Sequence, residues 1–568
     1  MFSDTLPPVN QPTPAIVSQD AVRRLPRWAL LLFCIAYVVP GFVGRAPWKS
    51  ADMTTLGYIF ELAHGGSAWL QPTLAGEPPE FDALMPYWMG AWAMKLGAGW
   101  LAPDLAARLP FAALLALTLA ATWYAVYSLA RGPGAQPVPF AFGGEAQPTD
   151  YARAMADGGL LALIACLGLA QLSHETTPSL AQLGFTTLTF YGLAALPYRP
   201  WPAGVALAVG LLGLALSGAP AMAMLFAAGG AAITLADPPA DAEGHAHPGR
   251  WAATIVGLAA VAGVLAWAVG AWHWRIVFPP EPSGWNPRSL LRLFAWFTWP
   301  AWPLAFWTLW RWRMRLGSRH VALPLWFAGV SIATTVVTPT GDRSLLLGLP
   351  ALATLAAFAL PTFKRAAAAL IDWFTLLFFS GCALVIWVIW ISMMTGVPAK
   401  PAANVARLAP GFTPSFSWLP FVAALLATLA WAWLVHWRAG RHRKAIWKSV
   451  VLPAGGAALC WLLVMTLWLP VLDFARSYVP VVQAVQAQIR GKGCVEMFGL
   501  NRGQIAALRF HGGMDLRPAA RVSQCGWMIA SQDWQPIVRA SLGDQWVPVA
   551  TVRRPTDAND NLHIYKHR

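Results

Sequence analysis

Charged residues are scarce in this sequence. Only 11% of the 568 residues are Asp, Glu, Lys or Arg, whereas 57% are hydrophobic, and the mean hydropathy is +0.50. So little charge excludes a soluble enzyme and indicates a polytopic helical membrane protein. Apolar runs of about 17 to 25 residues, the length that crosses ~30 Å of hydrocarbon, recur from Trp28 to Pro470.

Acidic residues are the scarcer charge, and the excess of basic residues does not form one patch. The chain has 40 Lys and Arg against 25 Asp and Glu, a net charge of +15. The basic residues lie in short loops between apolar runs, which is how membrane proteins encode their orientation. Nucleic acid is therefore not an expected partner. The loop residues are Arg311, Arg313, Arg315, Arg319, Lys364, Arg365, Arg438, Arg441, Arg443, Lys444 and Lys448.

Cysteine is also rare, and its pattern predicts no metal site. The six cysteines form no CxxC motif and no Cys/His metal spacing. Four of them lie singly in apolar runs, where a cysteine is usually a small buried hydrophobe. Cys494 and Cys525 lie in the polar C-terminal segment and are the candidates for a disulfide, which an oxidising compartment would permit.

The order of apolar runs and basic loops predicts a topology. Arg23, Arg24 and Arg27 place the N-terminus in the cytoplasm. The later basic loops also fall in the cytoplasm only if one apolar segment does not cross. Fourteen segments can be placed: 28–43, 84–99, 108–130, 157–172, 179–196, 201–217, 219–236, 251–271, 290–310, 320–338, 344–361, 370–394, 417–436 and 449–470.

Segment 84–99 is the favoured exception. It is short, contains Pro86 and Lys95, and suits a helix lying in the membrane interface. The alternative is a broken pair, 201–217 and 219–236, that does not cross twice. The favoured reading gives roughly thirteen spans and an external C-terminus.

Composition divides the chain into three parts. Residues 1–22 are expected to be a cytoplasmic disordered tail, and 23–470 a transmembrane domain with its first external loop at 44–107. Residues 471–568 are expected to form a small external α/β or α+β domain, because short strand and helix patterns alternate there. No catalytic constellation is visible in that segment, which indicates a scaffolding or substrate-guiding role.

The first external loop carries a carboxylate at the membrane boundary. Asp52 comes nine residues after Val43, the end of the first apolar run. A carboxylate at the edge of a membrane span is costly to place and often functional. The other interpretation is a helix N-cap, since Asp before Met-Thr-Thr suits that position.

The motifs of this loop resemble the GT-C glycosyltransferases. A tryptophan and aspartate are followed by GGSAWLQPTLAGEP, an aromatic segment ending in Lys-Leu-Gly, and AARLP. The closest resemblance is to the 4-amino-4-deoxy-L-arabinose transferase and protein O-mannosyltransferase group. The residues that carry it are Trp48, Asp52, Gly66, Trp69, Leu70, Pro72, Thr73, Gly76, Glu77, Pro78, Tyr87, Trp88, Gly97, Ala107, Arg108, Leu109 and Pro110.

The resemblance implies a bacterial inner-membrane enzyme that transfers a sugar from a polyprenyl-phosphate carrier to an acceptor on the periplasmic face. The acceptor would be a lipid A-like lipid, a glycan or a protein. Asp52 matches the family's catalytic aspartate, which acts on or orients the acceptor. Cations would stabilise the departing phosphate. Arg343 is the first candidate for this role, and Lys49 and Arg275 are weaker candidates. The family's phosphate-binding lysine is replaced by Ala83.

Other polar residues of the external loops have two interpretations each. Glu80 and Asp82 bind substrate or are solvated loop charges. His174 and Glu175 form an acid–base or metal pair, or a polar cluster at a helix end. Arg343 binds phosphate or forms a local ion pair with its neighbour Asp342. No cofactor is predicted beyond the lipid-linked sugar donor, and a divalent metal requirement stays open.

Two other functions compete with glycosyl transfer. A transporter or flippase for a polyprenyl-linked sugar would also need a polar cavity, but it should show inverted repeats and charges deep in its spans, and the sequence has neither pattern. A catalytically weak relative acting as a partner subunit is the third hypothesis, and it rests on the missing lysine at Ala83.

Overall fold

The computed structural model describes residues 13–80, 83–238, 247–272, 287–338, 341–363, 365–439, 445–489, 493–520, 522–535, 537, 545–554 and 556–568. The chain is mostly helical and ends in a small domain built on one sheet, as its sequence predicts. Up to the end of the membrane region the helices are α1 Arg27–Val38, α2 Ala51–His64, α3 Met85–Leu96, α4 Pro103–Ala130, α5 Pro148–Ala165, α6 Leu167–Leu172, α7 Pro178–Ala195, α8 Pro200–Leu216, α9 Pro220–Ala236, α10 Pro248–Ala268, α11 Pro287–Phe297, α12 Ala301–Arg311, α13 Arg319–Val337, α14 Gly341–Leu346, α15 Leu349–Ala359, α16 Arg365–Thr395, α17 Ala399–Leu408, α18 Trp418–Ala439 and α19 Lys448–Leu467.

This is a multi-pass membrane protein. Within the described ranges, six helices are long and apolar enough to cross a bilayer: α4, α10, α13, α16, α18 and α19. Shorter apolar helices, among them α1, α8, α9 and α15, pack beside them. Helices suit this environment because lipid offers no partner to backbone N–H and C=O groups.

Three predicted spans are broken into two helices each. Segment 290–310 becomes α11 and α12, segment 157–172 becomes α5 and α6, and segment 344–361 falls within α14 and α15. The first break follows from Pro300, which has no N–H for a helical hydrogen bond. The second is stabilised from outside the helix, because the N–H of Leu167 donates to the carbonyl of Trp299 at 3.1 Å.

Helix α3 has the dimensions expected of an interfacial helix. Its 12 residues extend about 18 Å, well short of the ~30 Å hydrocarbon core. Tyr87 packs on Tyr58 of α2 with ring centroids 5.2 Å apart. The indole of Trp88 donates to the carbonyl of Trp69 at 2.7 Å. These contacts fasten α3 to the first external loop.

The predicted disordered tail is ordered from Thr13 onward. Ala15 and Val17 are buried, and their carbonyls accept hydrogen bonds from the N–H groups of Val138 and Ala146. The loop after α4 supplies hydrogen-bond partners for this backbone and buries its apolar side chains. The segment is therefore ordered.

The C-terminal domain has a mixed five-stranded sheet. After α20 Leu469–Arg476 and α21 Val479–Gln488, the strands are β1 Cys494–Phe498, β2 Asp515–Pro518, β3 Trp527–Ser531, β4 Trp546–Arg554 and β5 Asp557–His567, with α22 Arg502–Phe510 after β1. Their order is β2-β1-β3-β5-β4. Strand β1 is parallel to β2 and β3, whereas β5 is antiparallel to β3 and β4. A disulfide joins Cys494 to Cys525, the pair proposed from the sequence.

Candidate functional site

Asp52 lies in the first turn of α2 and is buried among hydrogen-bond donors. Its Oδ2 accepts from Arg45 Nη1 at 2.6 Å and from the backbone N–H of Trp48 at 3.0 Å. Its Oδ1 accepts from the backbone N–H of Thr176 at 2.8 Å. Asp52 therefore joins two segments, 45–50 and 173–177, that are far apart in sequence.

The surroundings keep Asp52 ionised. Burial alone would favour the neutral acid. The guanidinium groups of Arg45 and Arg108, with the two backbone donors of Trp48 and Thr176, outweigh that effect and lower the pKa of the Asp52 carboxyl. Asp52 and Arg45 each expose only 2% of their side chains. Both oxygens of Asp52 are thus charged and already occupied, which suits an organising group better than a free base.

Arg45, which contacts this carboxylate directly, and Arg108 also hold the backbone around it. Arg45 also donates to the carbonyl oxygens of Gly41 and His174. Arg108, near the start of α4, donates to the carbonyl of Arg45 at 2.5 Å and lies 3.3 Å from Asp104. Two arginines and two acids therefore fix the loop that follows α1.

His174 is held as a neutral packing residue. Its two ring nitrogens face the carbonyl oxygens of Ala170 and Tyr37, and its ring packs on Trp461 at 4.5 Å. Burial lowers the pKa of His174 to about 4. Among the residues the structure describes, no cluster of three His, Cys, Asp or Glu side chains could hold a metal.

Glu175 is a second buried acid beside Asp52. Burial and the neighbouring Asp52 carboxylate raise the pKa of Glu175, against the opposing effects of Gln171, Arg343 and Arg45. Its Oε1 accepts from Gln171 at 3.2 Å, and Arg343 Nη2 lies 4.0 Å from its Oε2. The structure therefore brings together Asp52, Glu175 and Arg343 from three parts of the chain.

The other predicted site residues lie elsewhere. Lys49 forms ion pairs with Asp557 and Asp560, and Glu80 with Arg502; in both cases the partner belongs to the C-terminal domain. Asp82 and Arg275 lie outside the described residues, and so does the side chain of Asp342.

Ala83 is the position at which the sequence resemblance leads us to expect a phosphate-binding lysine. Its side chain is fully buried and faces Gly218, where an added Cβ would lie 3.7 Å from the Cβ of Ala83. The N–H of Leu84 donates to the carbonyl of Leu216 at 2.7 Å. The SGAP turn at 217–220 thus packs directly on the position of the missing lysine.

Asp473 is a site residue that the sequence analysis missed. It lies on α20, just after the last long apolar helix. It accepts from the Trp48 indole at 2.6 Å and from the N–H of Ala46 at 3.0 Å. The rule that singled out Asp52, a lone acid just past a span, applies equally to Asp473.

Solved structures share this fold, although no protein-family model and no curated protein matches the sequence. One is ArnT from Cupriavidus metallidurans bound to undecaprenyl phosphate, at a TM-score of 0.65 and 14% identity over 95% of this chain and 98% of that one. The apo state of the same protein gives 0.61 at 14% identity, with the same coverage. The chain has the fold of these ArnT structures, as the sequence resemblance implies.

Proposed function

We propose that the chain is a GT-C glycosyltransferase of the bacterial inner membrane that takes its sugar from a polyprenyl-phosphate carrier. The observation that carries the proposal is the match in fold over 95% of the chain to an ArnT structure with undecaprenyl phosphate bound. The second support is local: Asp52 in the first turn of α2, Glu175 in the loop between α6 and α7, and Arg343 in α14 lie close together. The acceptor would be a lipid A-like lipid, a glycan or a protein on the periplasmic face.

The three residues would divide the chemistry among them. An acceptor hydroxyl oxygen attacks the anomeric carbon of the sugar, the bond from that carbon to the phosphate oxygen breaks, and the carrier leaves as a polyprenyl phosphate. The hydroxyl proton passes to Glu175, whose raised pKa makes it the better proton acceptor. Arg343 stabilises the charge that grows on the phosphate. Asp52 stays ionised and holds the two loops in place.

Binding of undecaprenyl phosphate to the purified chain in lipid nanodiscs tests the donor class. We expect saturable binding, with undecaprenol, which lacks the phosphate, binding at least about tenfold more weakly. Arg343→Gln should weaken binding of the phosphate and leave binding of undecaprenol unchanged. Equal binding of the two lipids would contradict a phosphate-recognising site.

Turnover tests the reaction itself. Membranes containing the chain are incubated with a panel of undecaprenyl-phosphate-linked sugars, and release of undecaprenyl phosphate is measured. We expect release with at least one donor and a large loss in Asp52→Asn and in Glu175→Gln. Binding without turnover of any donor would instead favour the partner-subunit function. Normal turnover by Asp52→Asn would show that the reaction does not need the Asp52 carboxylate.

A further inference from the structure

The C-terminal domain touches the first external loop at both ends of α2, the helix that begins beside Asp52. We propose that this domain is a clamp that positions Asp52, with Arg509 and Lys49 as its positioning residues. The inference rests on the proposed function for its catalytic meaning, whereas the clamp itself is a property of the fold.

Helix α22 of the domain packs along α2. Arg509 of α22 forms a two-pronged ion pair with Glu61, and the Glu61 side chain is only 4% exposed. One turn earlier on α2, Gly57 allows backbone contact: an added Cβ there would lie 2.5 Å from the Cβ of Ala506 and 3.2 Å from its Cα. The far end of α2 is therefore fixed by a buried charge pair and by close helix packing.

The near end of α2 is held by the last strands. Lys49, three residues before Asp52, pairs with Asp557 and Asp560 at the start of β5. Asp560 is itself held by Arg554 Nη1 at 2.7 Å and by Gln504 Nε2 at 2.6 Å. Lys49 thus enters an existing network of the domain rather than an isolated surface contact.

The segment that leads into the domain completes the contact. The N–H of Lys49 donates to the carbonyl of Arg476 at 2.9 Å, and Asp473 accepts from the Trp48 indole. Trp48 in turn donates its backbone N–H to Asp52. A shift of the domain would therefore move Trp48, one of the three donors of Asp52.

The physical reason for a clamp is that α2 has no membrane to orient it. Its 14 residues are too few to cross a bilayer, and its position depends on its neighbours. A carboxylate that organises a reaction site must be held within about 0.5 Å of its productive position by the groups around it. The domain supplies that restraint through α22 and the start of β5.

Hydrogen–deuterium exchange of the full chain in nanodiscs tests the clamp without any substrate. The variants are Arg509→Gln, which breaks the Glu61 pair, and Gly57→Ala, which wedges α22 away although alanine favours a helix more than glycine. We expect the backbone amides of 48–61, and that of Thr176 on the separate loop, to exchange about tenfold faster. Arg517→Gln is the matched control, because its pair with Asp515 is exposed and lies within the domain.

Exchange of the Thr176 amide distinguishes a displacement of Asp52 from a general loosening of α2. Its amide donates to Asp52 but lies on the 173–177 loop, so it exchanges faster only if Asp52 moves. Arg509→Lys, which keeps the charge, should restore part of the protection. Unchanged exchange at 48–61 and at Thr176 in both Arg509→Gln and Gly57→Ala would overturn the clamp.

Turnover measurements test whether the clamp affects catalysis. With an active donor, both variants should lower kcat severalfold and leave KM for the donor near its original value, because the lipid site itself is intact. If Asp52→Asn turned over normally, the proposed function of Asp52 would fail while the exchange result still decided whether the clamp exists. Loss of protection with unchanged kcat would leave a clamp without a positioning role and would refute that part of the inference.

Discussion

Each charge of the Asp52–Arg45 pair is buried and depends on the other. Removing one partner of a buried pair leaves an uncompensated charge, which costs about 3–5 kcal/mol. Arg45→Met should therefore lower the stability of the folded chain by that order, because Asp52 keeps its charge in a low-dielectric site. Thermal unfolding in detergent, followed by Trp fluorescence, measures the loss.

Arg24→Met is the control for this substitution. Arg24 pairs with Asp150 at 2.7 Å, but its side chain is 61% exposed, and exposed pairs contribute about 0–1 kcal/mol. The paired change Arg45→Met with Asp52→Leu should recover most of the stability, since no buried charge remains. Equal losses for Arg45→Met and Arg24→Met would contradict the buried pair.

The raised pKa of Glu175 predicts the acid side of the pH–rate profile. A base works only when deprotonated, so turnover should fall as pH drops through the raised pKa of Glu175, above the usual carboxyl value of about 4.3. Asp52, with its lowered pKa, stays ionised through that range and contributes nothing to the fall.

Two substitutions assign this limb of the profile. Glu175→Gln should reduce turnover by about 10²–10⁴-fold and abolish the acid fall in what remains. Asp52→Asn should keep the fall, because Glu175 is still present. An acid limb that persists in Glu175→Gln would mean that another group takes the proton.

Single residues were predictable where a general rule applied to their place in the sequence. Asp52 was found because it follows an apolar run, and Asp473 obeys the same rule after the last one. The contacts of Arg45 were not predictable, since it donates to the carbonyl of His174, 129 residues away in sequence. Distant partners of this kind depend on tertiary structure, which residue patterns at short range do not encode.

At the level of elements, apolar length predicted helices but not where they break. The run 290–310 is continuous in hydropathy, yet Pro300 and the hydrogen bond from Leu167 divide it. The position of α3 in the interface stays a prediction, which rests on the alternation of basic loops and agrees with the 12-residue length of the helix. Ordering of residues 13–22 was not predictable, because it depends on a partner loop more than a hundred residues away.

The disulfide of the C-terminal domain makes a prediction at this scale. Cys494 and Cys525 are 31 residues apart in sequence and join the start of β1 to the residues just before β3. Closing a loop of that length should stabilise the domain by about 3–4 kcal/mol. Changing both cysteines to serine should lower the unfolding temperature and make the segment 493–531 susceptible to protease.

Cys34→Ser provides the comparison. Cys34 is a free thiol on α1, and its replacement should leave protease resistance of the domain unchanged. Reducing agent should reproduce the effect of the double substitution in the native chain and have no effect on the variant. If neither the double substitution nor the reducing agent changed the stability of the domain, the sheet would not need this bond.

For the whole molecule, the fold persists while its residues differ. At 14% identity the chain still follows ArnT over 95% of its length, because apolar length, basic loops and helix packing constrain many positions only weakly. Chemistry constrains fewer positions, but more strictly. Ala83, buried against the SGAP turn, is a position where this chain departs from the pattern that the sequence resemblance implies.

The orientation of the whole chain gives the last prediction. Phe142 lies fully exposed in the loop between α4 and α5, Leu96 is exposed at the end of α3, and Val522 is exposed in the C-terminal domain. If α3 does not cross, the basic-loop pattern puts Phe142 in the cytoplasm and Leu96 and Val522 outside. A membrane-impermeant maleimide added to whole cells should then label Leu96→Cys and Val522→Cys but not Phe142→Cys. Inverted vesicles should reverse the pattern.

The native thiols of the described chain lie in helices or in the disulfide, so a variant without the four free cysteines gives the background. Labelling of Phe142→Cys from outside would mean that α3 crosses after all, and Asp52 would then lose the shared external face on which the proposed site depends.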